Sequence, residues 1–248
     1  QLFADPANYN AVPVILGTNR DEMKLFLSFS PDQVDSFMGI PIAIKNSERY
    51  QAFSSYASDQ WKIKAVDQLA TVMRQGQGDN VFAYRFDADD LRDFGFLSLQ
   101  ELMGAAHAFE IPYVFGNFVT LMSNLIHPES ARAARNALSQ SMMSYWASFA
   151  HYGEPAKGYH GKQVEWGTWS NNDEQNRVMI FDTSIDRGIR MSPMKLKMQD
   201  LKQRFFNETR FNDQEEYCQV YKLLFANENF VQSEYDNLGN KGCSEVSL

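Results

Sequence analysis

No stretch of about 18 consecutive apolar residues occurs in the chain, so no transmembrane helix is expected. Basic residues are outnumbered: 23 Lys and Arg stand against 31 Asp and Glu, a formal net charge of −8. Phosphate binding needs a basic face, so nucleic acid is excluded as a partner. Cysteine is scarce. Cys218 and Cys243 are the only two in 248 residues, and nothing resembles a CxxC pair or a Cys/His cluster with metal spacing. A disulfide closing the tail and two free thiols both fit their placement. There is no HExxH pair, which speaks against a metal hydrolase. The start, Gln1-Leu2-Phe3-Ala4-Asp5, has neither the charged nor the apolar region of a signal peptide. It also lacks an initiating Met and reads as an internal boundary of a longer chain.

What is present is ordinary globular composition, 44% hydrophobic and 22% charged, so a folded chain is expected. Strand-like and helix-like segments alternate, which implies an α/β layered fold. Val12-Pro13-Val14-Ile15-Leu16 is a continuous apolar run ending at Gly17, the pattern of a strand buried on both faces. Pro13 places its start just after that residue. Ser30-Pro31-Asp32-Gln33 has the form of a helix start. Ile63, Val66, Leu69, Ala70 and Met73 recur at helical spacing until Gly76 and Gly78. Val81–Phe86 reads as a strand with Val81, Ala83 and Arg85 on one side and Phe82, Tyr84 and Phe86 on the other. A helix is expected from about Glu129 to His151, with Leu138, Met142, Trp146 and Phe149 inward and Gly153 as its stop. Val178–Phe181 and Ile189–Met191 read as short strands. Ser192-Pro193 then opens a last helix with Met194, Met198, Leu201 and Phe205 inward. After about Asn227 no period is visible.

Chemistry can be sought among four histidines. His127 precedes a proline, His151 falls in a last helical turn, and His160 lies in a Gly/Tyr loop; each reads as structural or surface. His107 differs. It sits in Gly104-Ala105-Ala106-His107-Ala108-Phe109-Glu110-Ile111-Pro112-Tyr113-Val114-Phe115-Gly116. Small residues let the backbone pack closely and leave the ring open, and a loop on a rigid scaffold is where a general base belongs. Gly17-Thr18-Asn19-Arg20-Asp21-Glu22 follows directly on the first strand. Acidic groups there lie where α/β sheets place their sites. The plainer reading is a charged loop with Arg20 and Asp21 paired at the surface.

Together the two segments resemble the type-B carboxylesterase/lipase family, which includes cholinesterases, bacterial para-nitrobenzyl esterases and some fungal lipases. Gly17–Glu22 with Leu25-Phe26-Leu27 looks like the family's acid-bearing loop. Gly104–His107 with Glu110–Gly116 looks like its histidine loop, in the order acid then histidine. Tyr145-Trp146-Ala147-Ser148-Phe149-Ala150, Gly153-Glu154-Pro155, Trp166 and Trp169 extend the likeness over most of residues 10 to 195. The resemblance implies the C-terminal portion of an α/β-hydrolase fold. It implies Glu22 as triad acid, with Asp21 its competitor, and His107 as base, with Glu110 structural beside it. Leu25, Phe26 and Phe29 would line the substrate site, although plain core packing explains them as well. No metal or organic cofactor is implied, and the substrate would be a carboxylic ester.

The sequence departs from the family pattern at two small points and one large one. Met23 and Ala108 stand where many relatives have Gly. The nucleophile elbow GxSxG and a Gly-rich oxyanion loop are both absent. Residues 1–248 are therefore expected to form the C-terminal part of a single α/β-hydrolase domain. A missing N-terminal segment or chain would supply the serine, and this chain alone would be inactive. The rival reading is a non-catalytic cholinesterase-like binding or adhesion protein. The triad assignment makes a geometric demand: a Glu22 carboxylate oxygen should lie about 2.6 to 3.2 Å from a His107 ring nitrogen.

Overall fold

The structure, a computed structural model, describes residues 2–118, 125–211, 213–226, 229–239 and 242–244. At its centre is a four-stranded mixed sheet in the order β1-β4-β5-β6: β1 Val14–Asn19, β4 Val81–Phe86, β5 Val178–Phe181 and β6 Arg190–Ser192. β1 runs parallel to β4, β4 parallel to β5, and β6 returns antiparallel. A separate hairpin pairs β2 Val34–Phe37 with β3 Ile40–Ile44. The α/β expectation from the alternating segments holds.

Each face of the sheet has its own core, as the alternation in β4 requires. Val81 and Ala83 pack with Val66, Ala70 and Met73 under one helical layer. That layer is α2 Ser47–Lys62, a π-helical turn Ile63–Asp67, and α3 Gln68–Gln77. Phe82 and Phe86 pack on the opposite side with Leu138, Met142 and Tyr145 of α6 Arg132–Tyr152 and with Trp166. Gly153, at φ 79°, ends α6 in the left-handed conformation that glycine adopts without steric cost. A third cluster joins α2 to α7 Met198–Phe206 and α8 Gln214–Leu224 through Tyr56, Phe205, Tyr217 and Tyr221. Cys218 and Cys243 close a disulfide inside it, which settles the choice between bridge and free thiols.

Several local expectations are corrected. β1 does not end at Gly17 but runs through it to Asn19. Gly17 lies opposite Tyr84 in the register, and a Cβ there would stand 2.0 Å from the Tyr84 ring. The glycine is a seat for that ring, not a strand end. β1 is also an edge strand, only partly covered along Val14–Gly17, rather than buried on both faces. Ser30–Gln33 opens no helix; turns there lead into β2. Gly76 lies within α3, and Gly78 alone stops it. Ser192 belongs to β6, so the helix expected to open there starts only at Met198. The tail holds α8 and a short helix, α9 Gln232–Asp236, neither read from the sequence. Asn227 itself lies outside the described residues.

One buried ion pair fixes the α2–α3 junction. Lys62 Nζ donates to both oxygens of Asp67 at 2.6 Å, and Asp67 Oδ2 also accepts from the Leu196 backbone at 2.7 Å. Burial pushes the Lys62 amine down and the Asp67 carboxyl up, and each partner opposes the other's shift. Removing one member leaves a buried charge uncompensated. Asp67→Asn should therefore cost about 3–5 kcal/mol in urea unfolding of the intact protein, and adding Lys62→Met should recover part of that loss.

Candidate active site

The acid loop and the histidine loop meet at the end of the sheet. The β1–β4 ladder continues one residue past Asn19, where Arg20 N–H donates to the Phe86 carbonyl at 2.8 Å. The chain then turns, and α1 Lys24–Leu27 follows. Asp21 N–H donates to the Ala105 carbonyl, and Ala105 N–H donates back to Asp21 Oδ2, both at 3.0 Å. Burial raises the Asp21 carboxyl, but Lys24 at 3.4 Å, Arg20 at 3.0 Å and the Ala105 amide outweigh it. Asp21 is therefore held below the ordinary carboxylate value. The Arg20–Asp21 pair of the plainer reading exists, but its Asp21 side is mostly buried, and it steadies the carboxylate that bridges to Ala105 of the histidine loop.

Glu22, one residue on, is 4% exposed. Its Oε1 accepts from Asn19 N–H at 2.7 Å and from the Thr18 hydroxyl at 3.1 Å. Its Oε2 lies 2.7 Å from His107 Nδ1, within the range the triad reading demanded. A carboxylate only accepts, so Nδ1 carries a proton, and in the neutral ring Nε2 is left with its lone pair. Nε2 has no partner among the described residues, and the His107 side chain is 40% exposed. Asp21 makes no contact of this kind with the ring; Glu22 does. Glu110 reaches the assembly indirectly, accepting from Asn19 Nδ2 at 2.5 Å.

Two aromatic rings flank the imidazole. Phe26 and Trp61 each stand with ring centroids 5.5 Å from that of His107. Of the three residues expected at a substrate site, Phe26 thus meets the histidine. Phe29 is a further exposed aromatic on the same segment, and Leu25 is half-buried. Trp61 was not read from the sequence, nor was Asn19. A signal for Trp61 existed: a large aromatic in the polar run Asp59-Gln60-Trp61-Lys62 has no core reason to be there. Tyr50, buried on α2, ties this helix to α1 and to the segment just before the histidine loop, its one hydroxyl proton facing the carbonyls of Leu102 at 2.7 Å and Lys24 at 3.2 Å.

Comparison with known proteins gives the same direction. The carboxylesterase family model matches residues 43–205, which include His107. The chain belongs to the carboxylesterase family. A para-nitrobenzyl esterase of Bacillus subtilis is 27% identical over 194 residues, 71% of this chain and 35% of that protein. A carboxylesterase 5A of Felis catus is 25% identical over 219 residues, 78% of this chain and 37% of that protein. Among solved structures, a PNB esterase superposes with a TM-score of 0.50 at 22% identity, covering 85% of this chain and 40% of the other. EstA of Aspergillus niger also reaches 0.50, at 18% identity, with 89% and 42% covered. The fold is that of the α/β-hydrolases. The chain spans little more than a third of the length of these two curated relatives.

Within this carboxylesterase-family frame one of the two departures has a physical consequence. At Met23 the backbone N–H anchors the acid loop to α2 by donating to Ser58 Oγ at 3.1 Å, a bond that glycine would make as well. Ala108 sits at φ 67°, in the left-handed region that a Cβ disfavours by about 1–2 kcal/mol. Gly104 is at φ 51°, and a Cβ there would stand 2.4 Å from Asp21 Oδ2. Ala108→Gly should raise stability by about 1 kcal/mol, and Gly104→Ala should lower it by more, both read as shifts of the urea midpoint at constant m-value.

Proposed function

We propose that this chain supplies the acid and the base of a serine carboxylic-ester hydrolase. The 2.7 Å contact between Glu22 and His107 Nδ1, with Nε2 left open, carries the reading. In it, His107 Nε2 takes the proton of a serine hydroxyl as that oxygen attacks the ester carbonyl. The imidazolium so formed gives the proton to the departing alkoxide, leaving an acyl-enzyme. Water then repeats the sequence and frees the acid. Glu22 holds the ring in the tautomer that exposes Nε2 and stabilises the transient positive charge. It reaches this position already desolvated, with Asn19 N–H and Thr18 hydroxyl fixing its other oxygen. Phe26 and Trp61 give the site an apolar rim suited to the organic arms of an ester.

The serine and the oxyanion donors belong, in this proposal, to a segment N-terminal to residue 1 or to a partner chain. The sequence has no GxSxG, and β1 ends the four-stranded sheet, which supports taking residues 1–248 as the C-terminal part of one domain whose sheet would continue past it. The retained acid–base pair favours this over a non-catalytic binding protein, which has no use for a desolvated Glu–His contact.

In the complete enzyme, His107→Ala should lower turnover of a simple aryl ester by about 10⁴–10⁶, and Glu22→Gln severely, with the fold intact by circular dichroism. Near-wild-type turnover of either variant refutes the assignment. The isolated 248-residue chain should show no esterase burst, bind hydrophobic dyes and melt without cooperativity, because the β1 edge and its apolar flanks lack their cover. A sharply melting soluble monomer refutes the domain assignment.

A further inference from the structure

We propose that Asn19 is a positioning residue of the Glu22–His107 pair: its two amide protons fasten the turn bearing the histidine to the end of the strand that leads into the acid loop. The inference rests on the esterase reading and extends it. Asn19 is the last residue of β1 and is 2% exposed. Its side-chain Nδ2 donates to the Ala106 carbonyl at 2.6 Å and to Glu110 Oε2 at 2.5 Å. Its backbone N–H donates to Glu22 Oε1 at 2.7 Å. One residue thus holds the acid with its main chain and the histidine turn with its side chain.

The amide orientation is fixed by chemistry. A carbonyl and a carboxylate both accept, so only the NH₂ end of the side chain can face them. The two acceptors lie one residue before and three residues after His107, on either shoulder of the turn. Beyond Ala105, which Asp21 holds, and the ring itself, which Glu22 holds, the turn is weakly tied among the described residues. Ala108 within it is in the left-handed region, and its internal backbone bonds are long, Phe109 to Ala106 at 3.2 Å and Ile111 to Ala108 at 3.3 Å. Glu22 sets the rotation of the imidazole, whereas Asn19 sets where the base of the ring sits. An error near 1 Å in that placement costs about 10²-fold in rate.

The test uses the complete enzyme with a short aryl ester. Asn19→Ala should lower kcat about 10- to 100-fold and leave KM within about twofold. Asn19→Asp is nearly isosteric but sets a carboxyl against the Ala106 carbonyl and Glu110. The ionisable neighbours here are Glu110 and His107 on the turn, Glu22 on the acid loop and Tyr84 on β4, with Asp21, Arg20 and Lys24 behind. Two such close carboxyls share a proton, and that proton is held above the usual carboxylate range. Protonated, the new carboxyl donates to Glu110 as the amide did; ionised, it repels Glu110. The kcat of Asn19→Asp should therefore fall as pH rises through that shared titration, while wild type does not.

A merely structural role predicts a loss independent of pH. Overturning results are an Asn19→Ala kcat within threefold of wild type, a change in KM alone, or an Asn19→Asp profile parallel to wild type. If Asn19→Ala does not fold, the Asn19→Asp profile decides. If wild type neither hydrolyses esters nor reacts with a fluorophosphonate, the esterase reading fails instead. The clamp is then judged by NMR: solvent exchange of the His107 Nδ1 proton should quicken at least tenfold in Asn19→Asp, and an unchanged rate overturns it.

Discussion

Two reciprocal hydrogen bonds between Asp21 and Ala105 hold together segments 84 positions apart, and the candidate site depends on them. They act like one rung of a sheet between two loops that are not strands. Because the second bond is made by a side chain, the contact needs the Asp21 carboxyl aimed inward, and it is strongest with the group ionised. Lys24 and Arg20 supply the charge that keeps it so, and Arg20 extends the clamp to Asp89 at 2.5 Å. Gly104 supplies the space, since any side chain there would occupy the place of Asp21 Oδ2. With this stitch in place, Glu22 and His107 fall on the same side and meet. The competing acid of the sequence is thus the brace that lets its neighbour face the histidine.

The sheet determines where the brace can form. β1 and β4 run parallel in strict register from Val14 opposite Val81 to Asn19 opposite Phe86. Both strands therefore end at one level, and the loops leaving them emerge side by side. This is the carboxyl end of a parallel pair, where loops have room and where an α/β sheet places its sites. Gly17 and Tyr84 show how closely the register is tuned, because the ring takes the volume of the missing side chain. Sliding β1 by one residue would lose that seat and turn its side chains to the wrong faces.

The parts legible in the sequence were those decided locally or by repeated pattern. The alternation of Val81–Phe86 sorted its side chains correctly between two cores, and Gly153 ended α6 where expected. The Glu22–His107 contact was legible through the resemblance of two motifs, in the right order, to the acid and histidine loops of carboxylesterases; the residues alone favoured a charged surface loop. The misreadings arose where long-range packing overrode a local signal. Ser30-Pro31 has helix-start chemistry, but the following residues pair as a hairpin. Gly17 looks like a stop until Tyr84, 67 positions later, is laid over it. α8 was missed because its inward side is aromatic and includes a disulfide cysteine, so its apolar period is weak to the eye. The side chains of Asn19 and Trp61 act on the histidine turn, more than 40 positions away, and although Trp61 stands out in a polar run, nothing local names its partner.

Trp61 shows how backbone geometry far from the loops reaches the imidazole. It stands in the last turn of α2, immediately before Lys62 and the π-helical turn Ile63–Asp67. Residues five apart lie about 140° apart around an α-helix, so Lys62 and Asp67 would not meet on a regular one. The wider π turn brings them onto one face, and the buried ion pair with its bond to Leu196 holds the turn open. The extra residue shifts the helical phase between α2 and α3. Within it Ile63 and Val66 are buried and beyond it Ala70, while before it Trp61 remains partly exposed against His107. Single-turn π-bulges collect at functional sites for this reason: one inserted residue re-aims a side chain without ending the helix. The ion pair thus stabilises a helix phase as well as a core, and that phase keeps an aromatic wall beside the imidazole of the histidine.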